Sequence, residues 1–188
     1  ECFAQQMYVL RKHFRVVSLT HLVNQIKSGG DISGMVAVSF DDGYADNLLL
    51  AKPILEQHEI PATAFIASDY IGGQATFWWD ELEAIFLDKQ SLPQKLRLVV
   101  DGQRYSWDFA EDALGASNEE KPDTWHVGCD TVPSRRHRAY QTLHQVLYTR
   151  ASEEREALLA KLRAWSGLNP HTRQSHRTMT QEELSRLA

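Results

Sequence analysis

The chain has 188 residues of ordinary apolar and aromatic content and carries a formal net charge of −5. This length fits one domain, and the negative balance argues against a nucleic-acid-binding protein, which needs clustered lysine and arginine. Cys2 and Cys129 are the only cysteines and lack the spacing of a zinc knuckle, and no apolar run reaches the ~20 residues of a membrane-spanning helix. We therefore expect a folded domain without a disulfide framework, whose localisation the sequence leaves open.

The first thirty residues alternate between helical and strand patterns. Residues 6–14 repeat apolar side chains on one face of a helix, and residues 15–19 are short and β-branched, which predicts a strand. Thr20 is predicted to cap a second helix, which Gly29 and Gly30 end. The chain thus begins as an alternation of helix and strand.

The next segment predicts a parallel β-α-β unit. Residues 35–40 form a continuous apolar run, as in a strand that is buried on both faces. Asp46 or Asn47 can cap a following helix, in which Pro53 marks either a kink or the true first turn. Residues 62–67 then form a second apolar strand. Strand, helix and strand within about thirty residues favour parallel pairing.

The second half of the chain changes character. Residues 96–109 read as a hairpin around Asp101-Gly102, a common short turn signal. Residues 111–133 are polar and predicted to be a loop. Further helices are predicted at 77–86, at 136–150, at 152–165 with Ser152 as cap and Gly167 as end, and after the capping box 180–183. Residues 91–178 therefore look like a mostly helical insertion into an α/β scaffold.

A functional site is indicated at the end of the first of the two paired strands. Asp41 and Asp42 follow it directly, and adjacent carboxylates raise each other's pKa unless a cation or hydrogen-bond donors compensate. Gly43 allows a sharp turn there. In parallel sheets, functional groups collect at the carboxyl ends of the strands. The alternative is structural: Asp41 caps a loop and Asp42 pairs with an arginine.

The same residues carry a resemblance to a known family. The motif Ser-Phe-Asp-Asp-Gly at 39–43, Tyr-Ala-Asp at 44–46 and Ile-Pro-Ala-Thr-Ala-Phe at 60–65 resemble the first motif of the polysaccharide deacetylases. Residues 77–80 and 177–184 resemble segments of bacterial members that have a helical insertion. This NodB-homology family, also called carbohydrate esterase family 4, implies an α/β fold, here an incomplete deformed (β/α) barrel within residues 1–188.

The resemblance also implies roles for the acid pair. Asp41 matches the family's catalytic base, and Asp42 matches a ligand of a divalent metal, for which Zn²⁺ is the expected ion. The implied reaction removes an N-acetyl or O-acetyl group from a polysaccharide or amino-sugar substrate. The family's other two ligands are histidines in the pattern H-[ST]-x-x-H, which does not occur in these residues. Because a zinc hydrolase needs about three protein ligands, we expect this chain alone to be inactive.

Other histidines have structural explanations. His171 and His176 are five residues apart, so a helix would turn them away from a common face, and a polar surface turn is the better interpretation. His137 and His144 flank the apolar face of one predicted helix, which favours a structural role there too.

Two alternative functions stay open at this point. One is a noncatalytic domain on a degenerate deacetylase scaffold that binds carbohydrate or serves assembly. The other is a Mg²⁺-dependent phosphatase that uses Asp41 and Asp42, although no glycine-rich phosphate loop accompanies them.

Overall fold

The computed structural model of the chain describes residues 2–72, 76–88, 91–110, 125–168 and 176–187. The chain divides into two compact units. The first contains residues 1–76 and 171–188, and the second contains residues 77–170. The predicted loop at 111–133 falls largely outside the described residues, as does the segment from His171 to residue 175.

The first unit combines helices with short parallel strands. Its elements in chain order are α1 (Cys2–His13), β1 (Arg15–Val16), α2 (Leu19–Ser28), β2 (Met35–Val36), β3 (Val38–Phe40), a π-helical turn (Asn47–Ala51), α3 (Lys52–Gln57), β4 (Ala62–Ala64), a 3₁₀ turn (Ser68–Tyr70) and α7 (Gln181–Ser185).

The predicted β-α-β unit is confirmed as a parallel pair. Strand β3 pairs with β4 in the register Val38 to Ala62 and Phe40 to Ala64, and α3 lies between them in the chain. Strand β1 pairs in parallel with β2 in a separate two-stranded sheet. The α/β class is therefore confirmed, whereas the described strands form two-stranded sheets that do not establish a barrel.

The strand predicted at 35–40 differs from expectation in two ways. It is interrupted at Ala37, so it pairs with β1 through its first part and with β4 through its second. Its side chains are only half-buried, and that of Ser39 is exposed. The apolar run predicted a strand buried on both faces, but the described elements leave these faces partly exposed.

Two helix boundaries in this unit refine the prediction. Ser18, not Thr20, caps α2: its side chain accepts the His21 N–H at 3.2 Å, and its backbone is extended. Thr20 lies inside the helix. Gly29 ends the helix in a left-handed conformation with φ 69°, as predicted.

Pro53 lies in the first turn of α3, one of the two alternatives that the sequence left open. The π-helical turn Asn47–Ala51 runs directly into α3 with helical backbone at Ala51, and the Lys52 N–H donates to the Asn47 carbonyl. Proline lacks an N–H, and it follows directly on a π-helical turn, where the regular helical bonding pattern is already interrupted.

Two small cores stabilise the first unit. The first is formed by buried residues of α1, the π-helical turn and α3, with one residue of the connection between α3 and β4: Met7, Ala51, Leu55 and Ile60. The second lies behind the acidic motif and consists of Ala45, Leu48 and Met179.

The second unit is built on a larger core. Its elements are α4 (Trp78–Glu83), a π-helical turn (Ala84–Asp88), β5 (Lys95–Val100), β6 (Gln103–Asp108), α5 (Arg135–Tyr148) and α6 (Ser152–Ser166). Among its fully buried side chains are Leu82, Ile85, Phe86, Leu143, Leu147 and Leu162. This core confirms the predicted inward faces of the helices.

The predicted hairpin is confirmed, and so is its turn. Strands β5 and β6 are antiparallel from Lys95–Asp108 to Val100–Gln103. Asp101 and Gly102 form the two-residue turn with φ 52° and 77°, the positive values that this turn type requires. In α6, Ala151 occupies the N-cap position instead of Ser152, and Gly167 ends the helix as predicted.

Within the described residues, no helix is both long and apolar enough to cross a membrane.

The insertion at 91–178 stays a prediction, and so does its correspondence to the second unit.

Candidate functional site

The two acidic residues lie directly after β3, at its carboxyl end. Asp41 is exposed, Asp42 is half-buried and Gly43 is buried. Strand β3 is fixed from one side by β4, including the bond from the Phe65 N–H to the Phe40 carbonyl at 2.8 Å. The sheet therefore fixes the point from which the acidic loop departs.

The loop turns sharply at Asp42 and Gly43, with φ values of 70° and 87°. The Gly43 N–H donates to the Asp41 carbonyl at 2.8 Å. A Cβ atom at Gly43 would lie 3.2 Å from Cδ1 of Ile66. The sharp turn predicted at Gly43 is confirmed by its backbone conformation, and the structure adds that a side chain at this position would crowd Ile66.

Asp42 adopts a left-handed conformation that is uncommon for residues with a side chain. Aspartate tolerates it better than most because its short polar side chain fits beside the backbone. The Asp42 carbonyl accepts the Ala67 N–H at 3.2 Å, which ties the turn to the segment after β4.

A distant segment, residues 177–179, braces the same loop; we call it the clamp. Thr178 pairs with Tyr44 in an antiparallel bridge. On either side, the Ala45 N–H donates to the Arg177 carbonyl at 3.0 Å, and the Met179 N–H donates to the Gly43 carbonyl at 2.9 Å. The clamp therefore fixes the residues that follow the acid pair.

Sequence reasoning did not find this pairing. Residues 177–184 resembled the family, but nothing in their composition placed them beside residues 43–45. An isolated bridge of this kind has no period that a single sequence could reveal.

The electrostatics of the pair follow from partial burial. Burial raises the pKa of Asp42, and the neighbouring Asp41 raises it further. Among the described residues, neither carboxylate has a cationic or hydrogen-bonding partner. The alternative in which Asp42 pairs with an arginine is therefore not realised there.

Asp46, the third acidic residue of the motif, does not cap the helix as expected. It occupies the N-cap position of the π-helical turn with φ −65° and ψ −24°, and its side chain makes no capping hydrogen bond. Its backbone is already helical, which turns the carboxylate away from the first free N–H groups.

No set of three metal-ligating side chains is assembled in the part of the chain that the structure describes. A cavity of about 720 Å³ lies near the acid pair without including it. Its walls come from β3, α3, β4 and α7, and they include Phe40, Leu55, Ala64, Ile66 and Leu187. Apolar residues predominate in its lining, which also includes the polar side chains of Asn47, Lys52, Glu56 and Glu59.

The histidines of α5 are held in the second unit. His137 shares a hydrogen bond of 2.8 Å with the Ser134 hydroxyl and packs edge-on against Trp125. His144 packs on Trp78, and burial lowers its pKa. These contacts agree with the structural role predicted for both.

Comparison with known proteins identifies the acidic segment. The sequence model of the family described as Polysaccharide deacetylase matches residues 29–95, little more than a third of the chain. Comparisons with curated proteins and with solved structures give no significant match. The matched residues contain β2, β3, the acid pair, α3 and β4. Residues 29–95 are thus similar to the polysaccharide deacetylases, and this match confirms the resemblance stated from the motif at 39–43.

Proposed function

We propose that the chain belongs to a metal-dependent hydrolase that removes N-acetyl or O-acetyl groups from a polysaccharide. In this proposal Asp41 is the general base and Asp42 is a ligand of a divalent metal, with Zn²⁺ as the first candidate. The observation that carries the proposal is the acid pair itself. Within the family segment, two adjacent carboxylates at the end of a strand lack any compensating cation among the described residues.

The chemistry of Asp42 fits a cation ligand. Its carboxylate is partly desolvated beside a second carboxylate, so a bound cation would relieve the repulsion that raises its pKa. The described residues do not assemble three metal-ligating side chains around it. The fit therefore assigns Asp42 as one ligand and leaves the other ligands unassigned.

The proposed roles of Asp41 and Asp42 follow from their different exposure to solvent. When bound, a divalent cation supplies Lewis-acid polarisation of the acetyl carbonyl and a more acidic water. The backbone of the half-buried Asp42 is held by the hydrogen bond from the Ala67 N–H, and this bond orients the Asp42 carboxylate. The exposed Asp41 is accessible to solvent and accepts the proton of the attacking water as its oxygen bonds to the carbonyl carbon and the π electrons move to the carbonyl oxygen. The bond from the acetyl carbon to the sugar nitrogen or oxygen then breaks, and the leaving amine or alcohol takes up a proton.

The test is metal binding and acetate release by matched variants. In the full-length protein, we expect Asp41→Asn to abolish acetate release from N-acetylated oligosaccharides while metal content is kept. Asp42→Asn should lower both. Asp46→Asn is the control, since its side chain makes no cap bond. Normal acetate release from Asp42→Asn would overturn the proposal.

For the 188 residues alone, we propose weak metal binding and negligible hydrolysis. A zinc hydrolase needs about three protein ligands, and the described residues do not bring three ligating side chains together. Isothermal titration with Zn²⁺ and an acetate assay test this directly. Strong hydrolysis by these residues would refute it. The noncatalytic carbohydrate-binding alternative is not favoured.

The region from 91 to 178 is proposed to influence which polysaccharide is accepted. Segments added to an α/β scaffold often form the walls of a substrate groove. Replacing the second unit, residues 77–170, which contains most of this region, by a short linker in the full-length protein should change the relative rates on chitin oligomers and peptidoglycan fragments. Unchanged relative rates would contradict this.

A further inference from the structure

The clamp holds two loops at once. On one side it binds the residues after the acid pair through the Gly43 carbonyl and the Ala45 N–H. On the other side it binds the loop after β4: the Gly72 N–H donates to the Met179 carbonyl at 3.0 Å. The Thr178 hydroxyl donates to the Tyr70 carbonyl at 2.6 Å, across 108 residues of sequence. The clamp is thus the connection between these loops.

Thr178 is the central residue of the clamp. It is fully buried, and it lies opposite Tyr44 in the bridge. Its hydroxyl supplies a side-chain hydrogen bond between the clamp and residues 68–72. Buried hydroxyls that lose their partner are costly, so this bond favours one placement of the clamp.

The consequence reaches Asp42 through the backbone. The Asp42 carbonyl bonds to the Ala67 N–H, which immediately precedes the 3₁₀ turn Ser68–Tyr70. The Gly43 carbonyl bonds to the clamp. Asp42 is therefore held from both sides by elements that Thr178 joins. Its positive φ is maintained only as long as these surrounding bonds are kept.

We propose that Thr178 is a positioning residue for the acid pair, whose hydroxyl closes the clamp on the loop after β4 and thereby fixes the direction of the Asp42 carboxylate. This inference rests on the proposed metal role of Asp42. Thr178 itself touches neither carboxylate and acts through the backbone alone.

The test compares two substitutions of Thr178 in the ¹⁵N-labelled chain of 188 residues. Thr178→Val keeps the shape and removes the hydroxyl, whereas Thr178→Ser keeps the hydroxyl. Ile60→Val is the control for a general loss of stability, because Ile60 is buried in the other core of the same unit. The hydrogen-exchange rate of the Ala67 amide reports the hydrogen bond from this amide to the Asp42 carbonyl. Broadening of the Gly43 amide NMR signal during titration with Co²⁺ reports the metal affinity of the site.

We expect Thr178→Val to accelerate exchange of the Ala67 amide and to weaken Co²⁺ binding roughly tenfold, the low end for residues that support a metal ligand. Thr178→Ser should retain most of the affinity, and Ile60→Val should retain all of it. Wild-type Co²⁺ affinity in Thr178→Val would overturn the positioning role, even if exchange at Ala67 were faster.

Asp42→Asn separates this proposal from the function on which it rests. If Asp42→Asn binds Co²⁺ as the wild type does, the metal role of Asp42 is wrong and the positioning role is overturned with it. If Asp42→Asn loses binding and Thr178→Val does not, only the positioning role is overturned.

Discussion

The guanidinium of Arg177 donates to both carboxylate oxygens of Glu183, at 2.6 Å each. The same carboxylate accepts the Thr180 N–H at 2.9 Å and completes the capping box of α7. One side chain therefore joins the clamp to the helix that follows it. The bonds from Arg177, and next the bond from Thr180, lower the pKa of Glu183 to about 2.

Replacing Glu183 by glutamine should destabilise the first unit by about 1 to 2 kcal/mol at pH 7, because the charged pair with Arg177 is lost, whereas the glutamine amide oxygen can still accept the Thr180 N–H. The folded-state pKa lies below the ordinary 4.5, so this stabilisation is present above about pH 4.5 and is lost as the pH falls toward 2. Urea denaturation of both proteins at pH 7 and pH 3, followed by circular dichroism, should show the difference shrinking in acid.

Glu182→Gln is the matched control, since Glu182 is exposed on the same helical turn. An equal loss of stability in this variant would show that the charge of the helix start, and not the bond to Arg177, is responsible.

Gly43→Ala should cost more stability than Gly34→Ala. Both glycines have positive φ, 87° and 68°, but a Cβ atom at Gly34 meets nothing within 4 Å, whereas at Gly43 it meets Ile66. We expect about 1 kcal/mol for Gly34→Ala, and about 1 to 3 kcal/mol more for Gly43→Ala. Adding Ile66→Val to Gly43→Ala should recover part of the excess. Equal costs at the two glycines would contradict the crowding.

Asp42→Asn should stabilise the metal-free chain at neutral pH. Burial and Asp41 raise the pKa of Asp42 in the folded state. The carboxylate therefore opposes folding increasingly as the pH rises from its ordinary value of 3.8 through the folded-state pKa. Asparagine also tolerates the positive φ, whereas Asp42→Ala adds about 1 kcal/mol of backbone strain.

The measurement is the thermal midpoint at pH 3 and pH 7 without metal. The thermal midpoint of Asp42→Asn should be higher than that of the wild type at pH 7 and equal to it at pH 3. A lower midpoint at pH 7 would mean that the carboxylate has a stabilising partner outside the described residues.

Arg163→Met should be the most damaging charge change in the second unit. Arg163 donates to both carboxylate oxygens of Glu81 at 3.0 Å, and Glu81 is only 8% exposed. Burial raises the pKa of Glu81, and the charge of Arg163 offsets only part of this increase. Removing the arginine leaves a buried carboxylate uncompensated, at a cost of about 3 to 5 kcal/mol at pH 7. Acidification should reduce this cost as Glu81 takes up a proton.

Tryptophan fluorescence follows this unit specifically, because all five tryptophans lie within residues 77–170. Glu156→Gln is the control: Glu156 also contacts Arg163 but is exposed, and exposed pairs contribute below about 1 kcal/mol. A similar loss of stability in Arg163→Met and Glu156→Gln would contradict the prediction that the burial of Glu81 determines the cost.

Some features were determined by the sequence alone, because each depends on residues close together in the chain. Asp101-Gly102 predicted the hairpin turn, since few residues accept its positive φ values. Thr180 and Glu183 predicted the capping box, whose partners are three residues apart. The acid pair after an apolar run predicted its place at the end of β3 and the family segment that contains it.

Only the tertiary structure decided what surrounds the acid pair. The clamp reaches Gly43 and Tyr70 from more than a hundred residues away, and the Arg163–Glu81 pair joins two different helices. Such contacts depend on where folded elements meet. A single sequence has no local pattern for them, because periodicity describes one face of one element and not its partner.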